Sequence, residues 1–124
     1  MPANSPHNFD RHERVTSILT EVAAKFIQRE ASTNPLITIT RTTISPDYRR
    51  ATFFFTTIPN DREQDALIFL KRHGTELRQD IKKHSRLKFI PEVHFEIDYG
   101  ERHRQHLDKI VHELEVRDDT EAGK

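Results

Sequence analysis

One interrupted helical stripe constrains the fold of this chain more than any other feature of its sequence. Between Asp61 and His84, apolar residues recur at the spacing of one helix face: Leu67, Leu70, Leu77 and Ile81. Gly74 takes a place in this stripe where an apolar side chain is expected, and glycine costs about 1 kcal/mol relative to alanine inside a helix. A straight helix over the whole stretch would be about 36 Å long, which is long for a small domain. The sequence therefore predicts a kink or break near Gly74.

Three other segments have the composition or the alternation of β-strands. Leu36 to Ser45 and Ala51 to Ile58 are rich in Thr, Ile and Phe, and a loop of five residues between them predicts a hairpin. After Pro91, the residues Val93, Phe95 and Ile97 alternate with polar ones, which predicts a third strand with one buried face. The long helical crossover before this strand allows it to pair in parallel with the second.

Alternation also assigns the phenylalanines of the second strand to opposite faces of the sheet. It predicts that Phe53 and Phe55 lie in the core, and it leaves the environment of Phe54 open.

Three Asp or Asn residues, each followed by Glu three positions later, resemble capping boxes and predict helix starts: Asp10 with Glu13, Asn60 with Glu63, and Asp98 with Glu101. The first helix is amphipathic and is expected to end near Ala31. The last carries the apolar residues Leu107, Ile110, Val111 and Leu114. The predicted order is α-β-β-α-kink-α-β-α, an α+β fold with a three-stranded sheet packed on helices.

The composition allows one core and one domain. The chain has 124 residues, 34% of them hydrophobic, with 20 basic and 20 acidic residues and no cysteine, which excludes disulfides and thiolate metal sites. We expect residues 1–9 to be a flexible N-terminus, 10–116 to be the domain, and 117–124 to be a flexible acidic tail. The chain lacks an apolar run of membrane-spanning length and a signal peptide, so we expect a cytoplasmic protein without membrane contact.

The neutral total charge conceals one strongly basic segment. From Lys71 to Lys88 there are seven basic residues against Glu76 and Asp80, a net charge of +5. Such a segment can be a solvated helix face, but beside a predicted helix break it favours contact with RNA phosphates.

Four segments resemble the bacterial ribosome-binding factor A family, over roughly Arg11 to Leu114. They are Arg11-x-x-Arg14-Val15, the run from Ile44 to Ala51, Leu77-Arg78, and the run from Leu87 to Asp98. At the helix break this family usually has Ala-x-Gly. Here Arg72-His73-Gly74 keeps the glycine without the alanine, and alignment places Gly74 one residue early, with Thr75 in the glycine position.

The resemblance implies a type II KH-like domain and a non-enzymatic assembly factor. Such a factor binds the small ribosomal subunit late in its maturation, near the 5′-terminal helix of its rRNA, assists rRNA processing and is linked to growth in the cold. Its expected partners are the small subunit, its rRNA and other assembly factors, and it is expected to be a monomer when free. The alternative is a KH-like protein-interaction module without direct RNA contact.

Charge and resemblance together predict an RNA-binding surface on the broken helix, its exit loop and the hairpin loop. Its residues are Arg49, Arg50, Arg72, His73, Gly74, Thr75, Arg78, Lys82, Lys83, Arg86 and Lys88.

Other chemistry has little support in the sequence. His103, His106 and His112 fall near one helix, but their spacing does not converge on a metal. The pair Asp98 and Glu101 is explained by helix capping, and no nucleotide-binding or hydrolase motif is present. We therefore expect no metal, no cofactor and no enzymatic activity.

Overall fold

The computed structural model describes the backbone of residues 7–122 and the side chains of residues 11–101 and 103–114. The elements are α1 (His7–Glu30), β1 (Leu36–Ile44), β2 (Arg50–Ile58), a 3₁₀ turn (Asn60–Arg62), α2 (Glu63–Arg72), α3 (Gly74–His84), β3 (Glu92–Ile97) and α4 (Tyr99–Ala122). This is the predicted order, including the break between the two central helices.

The three strands form one sheet in the order β1-β2-β3. β1 pairs antiparallel with β2, with a bulge between Ile39 and Arg41, and β2 pairs parallel with β3. The parallel pairing that the length of the crossover allows is the one present in the structure.

The core lies between α1, α2 and α3 and one face of the sheet. The buried residues of α1 recur at three and four positions, as an amphipathic helix requires: Val15, Leu19, Val22, Ala23, Phe26 and Ile27. Phe53 and Phe55 are fully buried, as predicted. The Phe53 and Phe95 rings lie 5.8 Å apart between centroids, so β2 and β3 contribute one continuous aromatic layer.

Phe54, whose environment the sequence leaves open, lies on the opposite face of the sheet. Its ring is half-buried, and the Arg41 guanidinium lies 4.0 Å from the ring centroid. Phe54 is thus covered in part by a cation from the neighbouring strand.

Of the three predicted caps, only the last is confirmed. The Glu101 backbone N–H donates to Asp98 Oδ1 at 2.9 Å. Asp10 is not a cap, because α1 already begins at His7. Asn60 makes no side-chain cap either, since the chain enters α2 through the 3₁₀ turn, where the Arg62 N–H donates to the Pro59 carbonyl at 3.3 Å.

The helical backbone at both ends extends beyond the expected domain boundaries. α1 includes residues 7–9 and α4 continues through residues 117–122, whereas residues 1–6 and 123–124 lie outside the described part of the chain. The boundary near 116 was inferred from the end of the apolar pattern, but an exposed helix can continue without an apolar face. The flexibility of both ends stays a prediction.

α4 is an exposed arm. Its described side chains are all at least partly exposed, and the apolar stripe Leu107, Ile110, Val111 and Leu114 is 38–51% exposed. No helix in the described residues is long and apolar enough to span a membrane.

Candidate nucleic-acid interface

The helix break lies at His73 and not at Gly74. His73 has φ −98° and ψ 10° and lies between the last residue of α2 and the first of α3. Its ring packs 4.3 Å from Phe69 and 6.4 Å from Phe26 between centroids, and Nδ1 is 2.9 Å from Glu76 Oε2. The predicted break is therefore confirmed, and a half-buried imidazole occupies it.

Gly74 does not occupy a core-facing position, which corrects the interpretation of the helical stripe. A Cβ added there would meet no heavy atom within 4 Å, and its φ is not positive. Because the chain turns at His73, the apolar residues of α2 and α3 form two separate stripes, and Gly74 lies between them.

The α3–β3 loop, residues 85–91, is fixed by hydrogen bonds at both ends. Ser85 Oγ donates to the Ile81 carbonyl at 2.5 Å. The Arg78 guanidinium donates to the carbonyls of Ile90 at 3.1 Å and Pro91 at 3.2 Å. Because Pro91 is buried and Leu87 is half-buried, this loop is anchored to the core on one side and exposed on the other.

A shallow hollow lies between α3 and this loop, and we call it the basic hollow. It is lined by Thr75, Arg78, Gln79, Lys82, Lys88, Phe89 and Ile90. Three lining residues are cationic, none is acidic, and the charged side chains are exposed. A concave surface of a single charge sign attracts polyanions such as RNA.

The two acidic residues of the basic segment are both engaged away from the hollow. Glu76 contacts His73, and Asp80 accepts a hydrogen bond from the Arg29 guanidinium of α1. The hydrogen bond that Arg29 donates to Asp80 raises the pKa of the Arg29 guanidinium above its usual value. The cations of α3 therefore have no carboxylate competitor within the hollow.

The structure separates the predicted site residues into groups. Thr75, Arg78, Lys82 and Lys88 line the basic hollow, and Arg86 lies on the adjacent α1 side of the loop. His73 is packed in the break. Arg72 and Lys83 are exposed but do not line the basic hollow.

Arg50 and Gly74 line a separate hollow at the open edge of β3, together with Lys71 and His94. The buried Nε2 atom of His94 has no hydrogen-bond partner within the described part of the chain. Arg49 is exposed in the hairpin loop, with its Nε 4.0 Å from Asp47 Oδ2.

Phe89 was missed as a functional candidate. It lies in a loop without apolar periodicity, so no pattern distinguishes it from a core residue, yet it is 78% exposed. The one available signal was its position directly after Lys88, where a large apolar side chain interrupts a basic segment. Within the described residues, no group of three His, Asp or Glu residues is arranged to hold a metal.

A helix that is broken into α2 and α3 precedes the parallel edge strand β3. These helices pack on a three-stranded sheet, and a basic surface borders them. This arrangement defines a KH-like α+β domain. Comparison with known proteins narrows this class. Residues 11–111 match the family Ribosome-binding factor A, and the chain belongs to that family.

Relatives and solved structures agree with this assignment. Ribosome-binding factor A of Aromatoleum aromaticum is 32% identical over 126 residues, covering 94% of this chain and 99% of the relative. The crystal structure of the Thermus thermophilus protein aligns with a TM-score of 0.63 and 20% identity, covering 69% of this chain and 94% of that one. Coordinates of the same protein fitted into a cryo-EM map of a 30S complex align with a TM-score of 0.58 and 20% identity, covering 65% and 88%.

Proposed function

We propose that this protein is a ribosome assembly factor that binds the small ribosomal subunit late in its maturation in the cytoplasm. In this proposal it contacts rRNA near the 5′-terminal helix and assists rRNA processing. Two findings support the proposal: the family to which the chain belongs is named for ribosome binding, and a Thermus thermophilus relative was fitted into a 30S complex.

The observation that carries the proposal is the basic hollow. Arg78, Lys82 and Lys88 surround a concave surface without a lining carboxylate, in a chain whose total charge is zero. A-form RNA is recognised mainly through its backbone and its shape, which requires cations on a matching surface and does not require base-specific donors. Arg86, Arg50, Arg49 and Arg72 would extend this surface to longer-range contacts with phosphates, whereas Lys83 lines neither this hollow nor the surface beside Arg86.

The proposed mechanism is binding without catalysis. A factor that binds an immature particle more tightly than a mature one shifts the equilibrium between them by the ratio of the two affinities. Release then follows maturation, because the preferred conformation has disappeared. No cofactor and no reactive side chain is needed for this cycle.

A matched pair of lysines tests the RNA contact. Lys82 lines the basic hollow, and Lys83 is the next residue of α3, about 100° further around the helix. We expect Lys82→Gln to weaken binding to purified small subunits several-fold and Lys83→Gln to change it much less, measured by co-sedimentation. Equal losses in the two variants would mean that the hollow is not the contact surface.

The second candidate function is a protein-interaction module, and the exposed apolar stripe of α4 favours it. Side chains such as Leu107 and Leu114 are about half-exposed, as in helices that dock on a protein groove. Parallel binding assays with intact subunits, protein-free rRNA and isolated small-subunit proteins separate the candidates. Binding to the proteins but not to the rRNA would support the second function and contradict the first.

A further inference from the structure

We propose that Phe89 is a stacking platform for one unpaired RNA base. The flanking phosphates are held in the basic hollow and in a second hollow that meets it at Phe89. This inference rests on the proposed RNA-binding function and adds the class of ligand: a single-stranded segment and not a continuous duplex.

The first argument is the exposure of the ring combined with the rigidity of its loop. Phe89 is 78% exposed, the highest value among the large apolar side chains of the described residues. The adjacent Ile90 is half-buried against the core, and its carbonyl accepts a hydrogen bond from Arg78. A ring held outward on an anchored backbone loses little conformational freedom on binding, which favours affinity.

The second argument is a further hollow on the other side of Phe89, which we call the α1 hollow. Its rim carries four cations, Arg11, Arg14, Arg86 and Lys88, and none of the lining residues in the described part of the chain is acidic. Its floor is apolar and includes Val15, Ile18, Ile44, Leu87 and Pro91. Lys88 and Phe89 line both this hollow and the basic hollow, so they form the ridge between the two.

A second aromatic residue also lines the α1 hollow. Tyr48, in the hairpin loop, has a positive φ of 61°, a conformation that costs free energy in a non-glycine residue. Its ring lies 5.8 Å from the His12 ring between centroids, and the Arg11 guanidinium lies 5.1 Å from its centroid. These contacts hold Tyr48 against α1, so two aromatic rings, Tyr48 and Phe89, line the hollow together with the cations of its rim.

This combination fits unpaired RNA better than either alternative ligand. A duplex hides its base faces, so it would contact the cations and gain nothing from an exposed phenylalanine. An apolar peptide would use the floor but would leave the four cations of the rim without a negatively charged partner. Aromatic rings set among cations are the arrangement by which proteins bind single strands without a strict sequence preference.

The test uses a fluorescent base analogue in the full-length protein. The probe is a single-stranded oligoribonucleotide of about eight nucleotides containing 2-aminopurine, whose emission is quenched when it stacks. We expect the wild type to bind and quench it. We expect Phe89→Ala to lose about 5- to 50-fold in affinity together with the quenching, and Phe89→Trp to retain both. Because the ring is exposed, the melting temperature of either variant should change little.

Tyr99→Ala is the matched control, because Tyr99 is an aromatic residue that is 60% exposed at the start of α4. It should leave both affinity and quenching unchanged. The stacking inference is overturned if Phe89→Ala binds as the wild type does, or if a duplex of equal length binds as tightly as the single strand.

Small-subunit binding by the same variants separates this inference from the proposed function. If the wild type binds subunits and Phe89→Ala loses nothing in either assay, stacking is wrong and RNA binding by the cations stands. If the wild type binds neither subunits nor RNA, the proposed function is wrong and the inference is wrong with it.

Discussion

Phe89 and Phe95 are chemically identical, lie six positions apart, and are 78% and 6% exposed. Phe95 packs on Phe53 within the aromatic layer of the sheet, so removing its ring leaves a cavity, whereas removing the Phe89 ring leaves none. We expect Phe95→Ala to lower the free energy of unfolding by about 3 to 5 kcal/mol, and Phe89→Ala to change it by less than about 0.5 kcal/mol.

Urea denaturation of the two variants measures both values. If Phe95→Ala lowers the free energy of unfolding by less than about 1 kcal/mol, the register of β3 is contradicted. A shift of the strand by one residue would move its apolar residues to the other face of the sheet.

Ser45 and Asp47 stabilise the hairpin loop through a charge-dependent network. The Ser45 hydroxyl donates to Asp47 Oδ1 at 2.6 Å, and the Arg49 N–H donates to the same oxygen at 3.1 Å. The hydrogen bond from Ser45, followed by that from the Arg49 backbone, lowers the pKa of Asp47 below its usual value of 3.8.

Because the pKa of Asp47 is lower in the folded state, the ionised carboxylate stabilises the fold at pH values above its unfolded-state pKa, which is near 4. This stabilisation is lost as the pH falls through the folded pKa. We expect Ser45→Ala to raise the pKa of Asp47 toward its usual value, as measured by NMR titration of the carboxyl carbon. Ser17→Ala, an exposed change on α1, is the control and should leave that pKa unchanged, and an unshifted pKa in Ser45→Ala would contradict the network.

At the scale of the element, the helix break depends on His73 and its packing. From the sequence alone, alanine at Gly74 is expected to straighten or repack the segment and to weaken association with the ribosome, while the fold survives. The structure reverses this expectation, because a Cβ there meets no atom within 4 Å. Gly74→Ala should therefore stabilise the protein by about 0.4 to 1 kcal/mol, through the lower entropy of its unfolded chain, and leave the break intact.

Thermal melts and small-subunit binding of Gly74→Ala check this prediction. His73→Ala is the comparison, since it removes the contact with Phe69 and the bond to Glu76, and it should destabilise the protein. Loss of stability in Gly74→Ala would show that glycine is required at the start of α3.

The elements that the sequence could predict are those with a local cause. Alternation identified the burial of Phe53, Phe55 and Phe95, and the length of the crossover allowed the parallel pairing of β2 with β3 without requiring it. The role of His73 could not be predicted, since its partner Phe26 lies on a different helix. Phe89 is exposed because the fixed ends of its loop orient it outward, which is a tertiary effect.

The candidate site follows the same rule. Sequence reasoning identified the basic segment as a whole, because the net charge of a segment can be counted directly along the chain. It could not separate Lys82 from Lys83, which differ only in where the helix directs them. Nothing in the sequence places Arg11 and Arg14 beside the basic segment, although α1 brings them to the α1 hollow with Arg86 and Lys88.

At the scale of the whole molecule, a chain with no net charge presents two adjoining hollows whose lining, among the residues that the structure describes, includes cations and no acids. Long-range attraction by total charge is therefore absent, and affinity for a polyanion must come from short-range contacts at these hollows. Such contacts release counterions from the RNA. The dependence of affinity on salt concentration therefore reports how many phosphate contacts are made.

The most direct test of the account is therefore the slope of log affinity against log salt for binding to the small subunit. With four to six phosphate contacts, we expect a slope of about −3 to −5, since each contact contributes roughly 0.7 to 0.9. Lys82→Gln combined with Lys88→Gln should flatten it by about 1.5 units. The control, Lys83→Gln with Lys109→Gln, removes two exposed lysines that line neither hollow and should leave the slope and the affinity nearly unchanged. A wild-type slope near zero, or equal flattening by both double variants, would contradict the account.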